Sequence, residues 1–169
     1  DNLRGAPILA DYFMEKELED LIVVAPDIGG VKRARDFSER LNTPMAIIDK
    51  RRPEANVSEI MNIIGDVEDK NVILVDDMID TAGTITNAAC TLKEQGAKKI
   101  FATCSHPLFS GPAVDRIEKS PIAELVVTDT IPLPEEKKLD KVTTLSVAPL
   151  LAKAIRRIYD DLSVSVLFR

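Results

Sequence analysis

Residues 72–84 read Val72-Ile73-Leu74-Val75-Asp76-Asp77-Met78-Ile79-Asp80-Thr81-Ala82-Gly83-Thr84, and this stretch decides the predicted fold. Its first four residues are aliphatic, which is typical of a strand that a parallel sheet covers on both faces. Asp76 and Asp77 come at the predicted end of that strand, and such sheets bind their ligands just beyond the carboxyl ends of the strands. The stretch therefore predicts an α/β fold with a binding site at its polar half.

The polar half has the composition of a phosphate-binding turn. Its short side chains leave successive backbone N–H groups open to an anion, and the next helix would add the positive end of its dipole. These residues are Asp80, Thr81, Ala82, Gly83 and Thr84. If the turn holds a 5-phosphate, Asp76 and Asp77 are expected to face ribose hydroxyls, directly or through Mg²⁺. A strand that merely ends in a hydrophilic turn is the simpler alternative, but two adjacent acids after four aliphatic residues are costly without a cation or a sugar.

Strand-like and helical segments alternate along the rest of the chain. Apolar runs predict strands at residues 21–25, 45–48, 60–65, 72–75, 99–104, 125–128 and 142–145. Helical spacing predicts helices at residues 7–16, 31–41, 85–94, 111–119 and 148–161, and Gly96 suits a left-handed helix end. This alternation predicts one domain over residues 1–169, with a doubly wound, mainly parallel sheet flanked by helices.

Residues 72–84 resemble the phosphoribosyl pyrophosphate (PRPP) fingerprint of type I phosphoribosyltransferases and ribose-phosphate pyrophosphokinases. Further stretches are similar to bacterial members of the second family and occur in the same order. They are residues 25–30, 47–53, 56–57, 105–111 and 163–168. The resemblance covers nearly the whole chain and implies the type I phosphoribosyltransferase fold. It also implies a longer enzyme with an N-terminal half of the same fold, so the chain looks like the C-terminal domain alone.

The stretch at residues 25–30 repeats the design of a strand, a turn and a helix. Gly29 and Gly30 taken alone are a weak signal, since such a pair is more often a bend that needs positive φ. On a neighbouring strand end the pair can form a second phosphate loop, and Asp27 has the chemistry to ligate a metal that bridges diphosphate oxygens. In the resembled family the corresponding aspartate contacts Mg²⁺, so the resemblance gives that role to Asp27.

The basic run Lys50-Arg51-Arg52 is predicted to lie where a strand passes into a mobile loop at residues 54–58. Most such runs are solvated charged surface. A transferred diphosphoryl group, however, needs positive charge at its oxygens without a permanent cage that would trap the product. By resemblance, Lys50 and Arg52 match the catalytic-loop lysine and arginine of the family, and Arg51 supports the loop.

The resemblance implies transfer of the β,γ-diphosphoryl group of ATP to the 1-hydroxyl of ribose 5-phosphate, which yields PRPP for nucleotide synthesis. In that family the adenine groove and a histidine metal ligand belong to the N-terminal half, and hexamers build active sites from neighbouring chains. This domain is therefore expected to bind ribose 5-phosphate but to be nearly inactive alone.

The C-terminal residues 163–168 would ordinarily be assigned to a fraying tail. In the resembled family Ser163, Ser165 and Phe168 match residues of an inhibitory site for phosphate or a nucleotide such as ADP at a subunit interface. Ala82 stands where some relatives have glycine, and its methyl group is tolerable if the backbone there is not left-handed. His106 is the single histidine, and it is assigned no chemistry because a lone histidine near a strand end is more often structural.

Composition excludes several classes of protein. The net charge of −6 over 169 residues argues against a nucleic-acid surface, which needs clustered Lys and Arg. No apolar run approaches the roughly 18 residues of a membrane span. Cys90 and Cys104 lack metal-ligand spacing and are predicted to be buried thiols, which fits a reducing cytoplasm.

Two other functions share the predicted sugar-phosphate turn. A nucleobase phosphoribosyltransferase usually carries a hood that reads the base, and the sequence has no aromatic-rich segment to stack one. A noncatalytic regulatory subunit or PRPP sensor would keep the turn and lose the chemistry. The intact run Lys50-Arg51-Arg52 argues against that function, because sensing alone does not need mobile charge.

Overall fold

The structure, a computed structural model, describes residues 3–51 and 60–168. The strands are β1 (Leu21–Ala25), β2 (Met45–Arg51), β3 (Ile60–Ile64), β4 (Asn71–Ile79), β5 (Lys99–Pro107), β6 (Ile122–Thr128) and β7 (Val142–Leu145). The α-helices are α1 (Ala6–Glu15), α2 (Val31–Leu41), α3 (Gly83–Glu94), α4 (Ala113–Lys119) and α5 (Ala148–Tyr159). Short 3₁₀ turns lie at Ile28–Gly30, Glu135–Lys137 and Ser165–Phe168. Across this described part, none of the helices has the length and apolarity to cross a bilayer.

The strands that the structure describes form one sheet in the order β3-β2-β1-β4-β5-β6-β7. All neighbours pair in parallel except β2 and β3, which run antiparallel. The predicted mainly parallel sheet is therefore confirmed. β2 ends at Arg51 and β3 begins at Ile60, so the connection between them is shorter than the dozen or more residues that a crossover between parallel neighbours needs.

Helices cover both faces of the sheet, as a doubly wound fold requires. Side chains alternate along β4, so Ile73 and Val75 enter the core beneath α1 and α2, while Val72 and Leu74 enter the core beneath α3 and α4. All four of these side chains are at most 2% exposed, which explains why the strand is aliphatic on both faces.

Several predicted elements have the same bounds as in the structure, whereas the predictions for other elements are too short. The predicted bounds of β1, α2 and β7 match, and Gly96 ends α3 with φ +84°, as predicted. β4 and β5 run well past their predicted ends at Val75 and Cys104, because each continues to pair with the other through polar residues. Backbone pairing, unlike apolar periodicity, is insensitive to the polarity of the side chains it carries.

The two cysteines lie in different environments, which corrects one prediction. Cys104 on β5 is buried, and its burial raises the pKa of the thiol. Cys90 on α3 is exposed, so the expectation of a buried thiol is wrong there. The buried face of α3 carries Ala88, Ala89 and Leu92, and position 90 falls away from that face at helical spacing.

Candidate functional site

The crevice between β1 and β4 is the point at which the winding of the chain changes direction. The chain passes from β1 to β2 on one side and from β4 to β5 on the other, so the loops that leave β1 and β4 diverge. The helix after β1 covers one face of the sheet, and the helix after β4 covers the opposite face. Open α/β sheets bind their ligands at such a switch point. Both predicted phosphate loops, residues 27–30 and 80–84, begin at this crevice.

Asp76 and Asp77 lie within β4 and not after it, which corrects the predicted end of the strand. Pairing of β4 with β1 runs only as far as Leu74, whereas pairing with β5 continues to Ile79. The last part of β4 therefore borders the crevice on its β1 side. As a result, the two carboxylates sit on a hydrogen-bonded strand, which holds their backbone more rigidly than a loop would.

Arg33 holds both carboxylates together. Its Nη1 lies 3.0 Å from Asp76 Oδ1, and its Nη2 lies 2.6 Å from Asp77 Oδ2. The side chain of Asp76 is 20% exposed and that of Asp77 is 52% exposed, so the first carboxylate carries the larger desolvation cost. Because Arg33 lies in the first turn of α2, just after the Gly29-Gly30 turn, it connects the first predicted phosphate loop to the carboxylate pair on β4.

The two carboxylates respond to this environment in opposite directions. Burial raises the pKa of Asp76 to about 6, and the charge of Asp77 adds to the rise while Arg33 opposes it. Burial also acts on Asp77, but the charge of Arg33 and the hydrogen bond with Asp76 outweigh it and lower the pKa of Asp77. Asp77 therefore stays ionised at neutral pH, and Asp76 takes up a proton in mildly acidic solution.

The turn after β4 leads into the N-terminus of α3. Asp80, Thr81 and Thr84 are exposed at the turn, while Ala82 is buried against the core. Ala82 has φ +60° and ψ +5°, a left-handed conformation that costs about 1–2 kcal/mol in an L-residue with a β-carbon. The methyl group of Ala82 is expected to be tolerable only where the backbone is not left-handed. Because the backbone is left-handed here, the turn carries strain. Ala82 also caps α3 without a side-chain acceptor, so the first N–H groups of this 12-residue helix keep their capacity to bind an anion.

Replacing Ala82 with glycine is expected to change the free energy of unfolding by less than about 0.5 kcal/mol, because relief of the left-handed strain offsets the lost methyl burial and the added backbone entropy. The matched control is Ala89→Gly, which removes a buried methyl group from α3 at ordinary helical dihedrals. That variant is expected to lose about 2 kcal/mol. Urea denaturation of both variants checks this, and equal losses at the two positions would contradict the strain at Ala82.

The loop after β1 is built around the carboxylate of Asp27. Its Oδ1 accepts a hydrogen bond from the backbone N–H of Gly30 at 2.9 Å, which closes the short 3₁₀ turn. Neither glycine has positive φ, so the bend does not require glycine for its dihedrals. A β-carbon at Gly29 would instead lie 3.3 Å from Asp27 Oδ1, and one at Gly30 would lie 3.5 Å from Arg33 Nη1. The glycines therefore keep this loop open for close approach.

The basic run is only partly within the described residues. Lys50 lies near the end of β2, beyond the point where its neighbour β1 ends opposite Ile47, and thus on the same sheet edge as Asp27. It pairs with Met61 across the β2–β3 ladder. Arg52 and the predicted loop at residues 54–58 lie outside the described residues.

A cavity of about 840 Å³ extends from the crevice towards the C-terminus. Gly29, Arg33, Asp77 and Phe168 are among the residues that line it. Ser163 and Ser165 contact each other through their hydroxyl oxygens at 2.9 Å, away from that lining. The structure thus brings Phe168, but not the two serines, into the space shared with the predicted site.

Two arginines at the site were missed as functional residues by sequence reasoning. Arg33 follows Gly30 by three residues, and this short distance from a predicted phosphate loop is a signal that could have identified it. Arg116 on α4 donates from Nη1 to the carbonyl oxygen of Thr81 at 2.9 Å. No sequence pattern links positions 35 residues apart, so only the tertiary fold brings Arg116 to the turn.

Comparison with known proteins gives a family and close relatives. The family described as phosphoribosyl synthetase-associated domain matches residues 53–169. Ribose-phosphate pyrophosphokinases from Bacillus caldolyticus and Corynebacterium ammoniagenes are 62% and 61% identical over 168 residues, which cover 99% of this chain and 53% of each relative. The chain therefore spans about half the length of the curated relatives it matches.

Solved structures agree with the observed topology. Phosphoribosylpyrophosphate synthetase from Mycobacterium smegmatis has a TM-score of 0.88 at 39% identity, over 95% of this chain and 52% of that one. A purine phosphoribosyltransferase from Pyrococcus horikoshii has a TM-score of 0.51 at 22% identity, over 82% of this chain and 78% of that one. The second likeness shows the fold alone, which is that of the type I phosphoribosyltransferases, as the sequence predicted.

Proposed function

The chain belongs to the phosphoribosyl synthetase-associated domain family, and we propose that it is one catalytic domain of a ribose-phosphate pyrophosphokinase. The complete enzyme would transfer the diphosphoryl group of ATP to O1 of ribose 5-phosphate and release PRPP. One arrangement carries the proposal: a carboxylate pair and a strained, N–H-rich turn lie on consecutive segments of the chain at the switch point. Together they match the two ends of a phosphorylated pentose.

This arrangement supports binding of ribose 5-phosphate. The turn of residues 80–84 would hold the 5-phosphate through backbone N–H groups, the threonine hydroxyls and the N-terminus of α3. Asp76 and Asp77 would accept hydrogen bonds from ribose hydroxyls, and hydrogen bonds to charged groups are stronger than neutral ones. Because the carboxylates stand on a strand and the turn follows it directly, the sugar would be held at both ends with little freedom to rotate.

Transfer then depends on position and charge. A sugar fixed in this way directs its 1-hydroxyl towards the β-phosphorus of a donor lying over the Asp27–Gly30 loop, from which AMP leaves. Lys50 and Arg52 would bring positive charge to the oxygens of the migrating group. The described residues offer no obvious general base near O1, and phosphoryl-type transfers are catalysed chiefly by positioning and electrostatic stabilisation.

The carboxylates of this site and the phosphate oxygens of the substrates would together form a donor set that suits Mg²⁺. The described residues contain no group of three acidic, cysteine or histidine side chains that could hold a metal. Mg²⁺ is commonly bound by one or two carboxylates, with phosphate oxygens and water completing an octahedron. Asp27 would supply a carboxylate oxygen beside the diphosphate, where the bound ion would neutralise developing negative charge.

The complete enzyme would also include groups that this chain does not supply. We propose that an additional half provides the ATP groove, that the enzyme is a cytoplasmic hexamer, and that ADP or phosphate regulates it near Ser163, Ser165 and Phe168. Ile155, Ile158 and Tyr159 on α5 are 67%, 65% and 86% exposed. An apolar face of this kind supports a contact with another domain or subunit.

Calorimetric titration of this chain with ribose 5-phosphate tests the proposal. We expect measurable heat with a Kd no weaker than the millimolar range, weaker binding of inorganic phosphate, and no detectable binding of ribose alone, because most of the affinity comes from the phosphate turn. A folded protein that gives no heat with millimolar ribose 5-phosphate, or that binds ribose as well as its phosphate, would contradict it.

A further inference from the structure

Arg116 contacts the predicted phosphate-binding turn through a backbone carbonyl oxygen. Its helix, α4, is anchored in the core through Ala113 and Ile117, which are both fully buried. The guanidinium of Arg116 extends from this helix and donates a hydrogen bond from Nη1 to the carbonyl oxygen of Thr81 at 2.9 Å. A donor on a rigid helix therefore fixes the direction of one carbonyl in the turn.

The direction of that carbonyl determines the direction of an N–H group. In a planar trans peptide the C=O of one residue and the N–H of the next point to opposite sides. Because the carbonyl of Thr81 points to Arg116, the N–H of Ala82 points away from it, to the opposite side of the turn. Rotation of this peptide would reverse both groups and would direct a carbonyl oxygen, with its partial negative charge, at an incoming phosphate.

The strained conformation of Ala82 favours rotation of the Thr81–Ala82 peptide. Its φ of +60° is unfavourable for alanine, and rotation of the preceding peptide towards negative φ would relieve the strain. Gly83 is adapted to the same contact, since a β-carbon there would lie 3.3 Å from Arg116 Nη1. The turn therefore has a strained residue, an external donor that opposes its relaxation, and a glycine that admits the donor.

We propose that Arg116 is a positioning residue for the 5-phosphate, which acts by holding the Thr81–Ala82 peptide with its N–H towards the ligand. This inference rests on the proposed function, because it concerns the same phosphate-binding turn. Arg116 acts here through the backbone and not as a direct ligand of the phosphate.

Replacing Arg116 with methionine tests the proposal, since methionine keeps the aliphatic stem and removes the donor. We expect the Kd for ribose 5-phosphate to rise about tenfold, which corresponds to the loss of one well-formed hydrogen bond in the turn. The matched control is Lys119→Met on the same helix, where an exposed cation that pairs with Asp115 is removed. That control is expected to change the Kd less than about twofold. Thermal unfolding of both variants verifies that they are folded.

A second background separates positioning from simple charge attraction. In an Ala82→Gly protein the left-handed conformation is no longer strained. Loss of the Arg116 hydrogen bond therefore leaves no strain to drive rotation of the Thr81–Ala82 peptide. We expect Arg116→Met to weaken binding less than about threefold in that background. An equal loss in both backgrounds, or no loss in either, would overturn the positioning role. Absence of binding in the unmodified protein would instead overturn the proposed function, and this inference with it.

Discussion

Replacing Lys50 with alanine is expected to lower turnover about 100- to 1000-fold in an active enzyme assembled from this chain and the additional half that its relatives contain. The reason is electrostatic, because a diphosphoryl group in transfer spreads negative charge over oxygens that a correctly placed ammonium group stabilises. The KM for ribose 5-phosphate is expected to change little, since in the proposed binding mode the sugar and its phosphate contact β4 and the turn after it, not β2.

The control for this prediction is Lys98→Ala, which removes an exposed lysine just before β5, at the opposite edge of the sheet. It is expected to keep full turnover. Steady-state kinetics of both variants, with circular dichroism to verify folding, measure the effect. A Lys50→Ala enzyme that turns over within about threefold of the unmodified one would place the catalytic charge elsewhere.

Replacing Asp76 with asparagine is expected to weaken ribose 5-phosphate binding about 10- to 100-fold at pH 8, because a hydroxyl loses a charged acceptor. The unmodified protein should also bind more tightly as the pH rises. With its pKa raised to about 6 by burial, Asp76 is largely protonated at pH 5 and largely ionised at pH 7. The ionised, binding-competent fraction therefore grows about tenfold over that interval.

The phosphate of the ligand titrates in the same range, near pH 6. Both proteins bind the same ligand, so the effect of phosphate titration on the affinity cancels when the unmodified protein is compared with Asp76→Asn. Calorimetry at several pH values should show a steeper rise in affinity for the unmodified protein than for the variant. An exposed acid offers the control, since Asp115→Asn on α4 should leave both the affinity and its pH dependence unchanged. Parallel profiles for the unmodified protein and Asp76→Asn would show that Asp76 does not face the sugar.

Much of the candidate site was predictable because its chemistry is local in sequence. Phosphate turns are built from consecutive backbone N–H groups, so short residues after an apolar run are themselves a signal. Asp76 and Asp77 lie within four residues of the start of the turn, and Asp27 to Gly30 likewise follow an apolar run. Each of these features depends on neighbours within a few positions.

Features that depend on packing could not be predicted in the same way. The exposure of Cys90 depends on which face of α3 meets the sheet, and the extension of β4 depends on continued pairing with β5. The left-handed conformation of Ala82 is unfavourable for alanine taken alone, so local preference predicts the opposite. It persists where surrounding contacts, such as the hydrogen bond from Arg116, oppose its relaxation.

The sequence by itself determined the order of strands and helices along the chain, the doubly wound, mainly parallel sheet and the position of the polar turn. It could do so because hydrophobic periodicity and turn chemistry are short-range properties. Only the tertiary structure decided that Arg33 joins Asp76 to Asp77 and that Arg116 reaches Thr81. Those contacts join residues far apart in the chain, and their geometry follows from how helices pack on the two faces of the sheet. A guanidinium can pair with any carboxylate or carbonyl within its reach, so its partner is settled by distance in the folded protein and not by pattern.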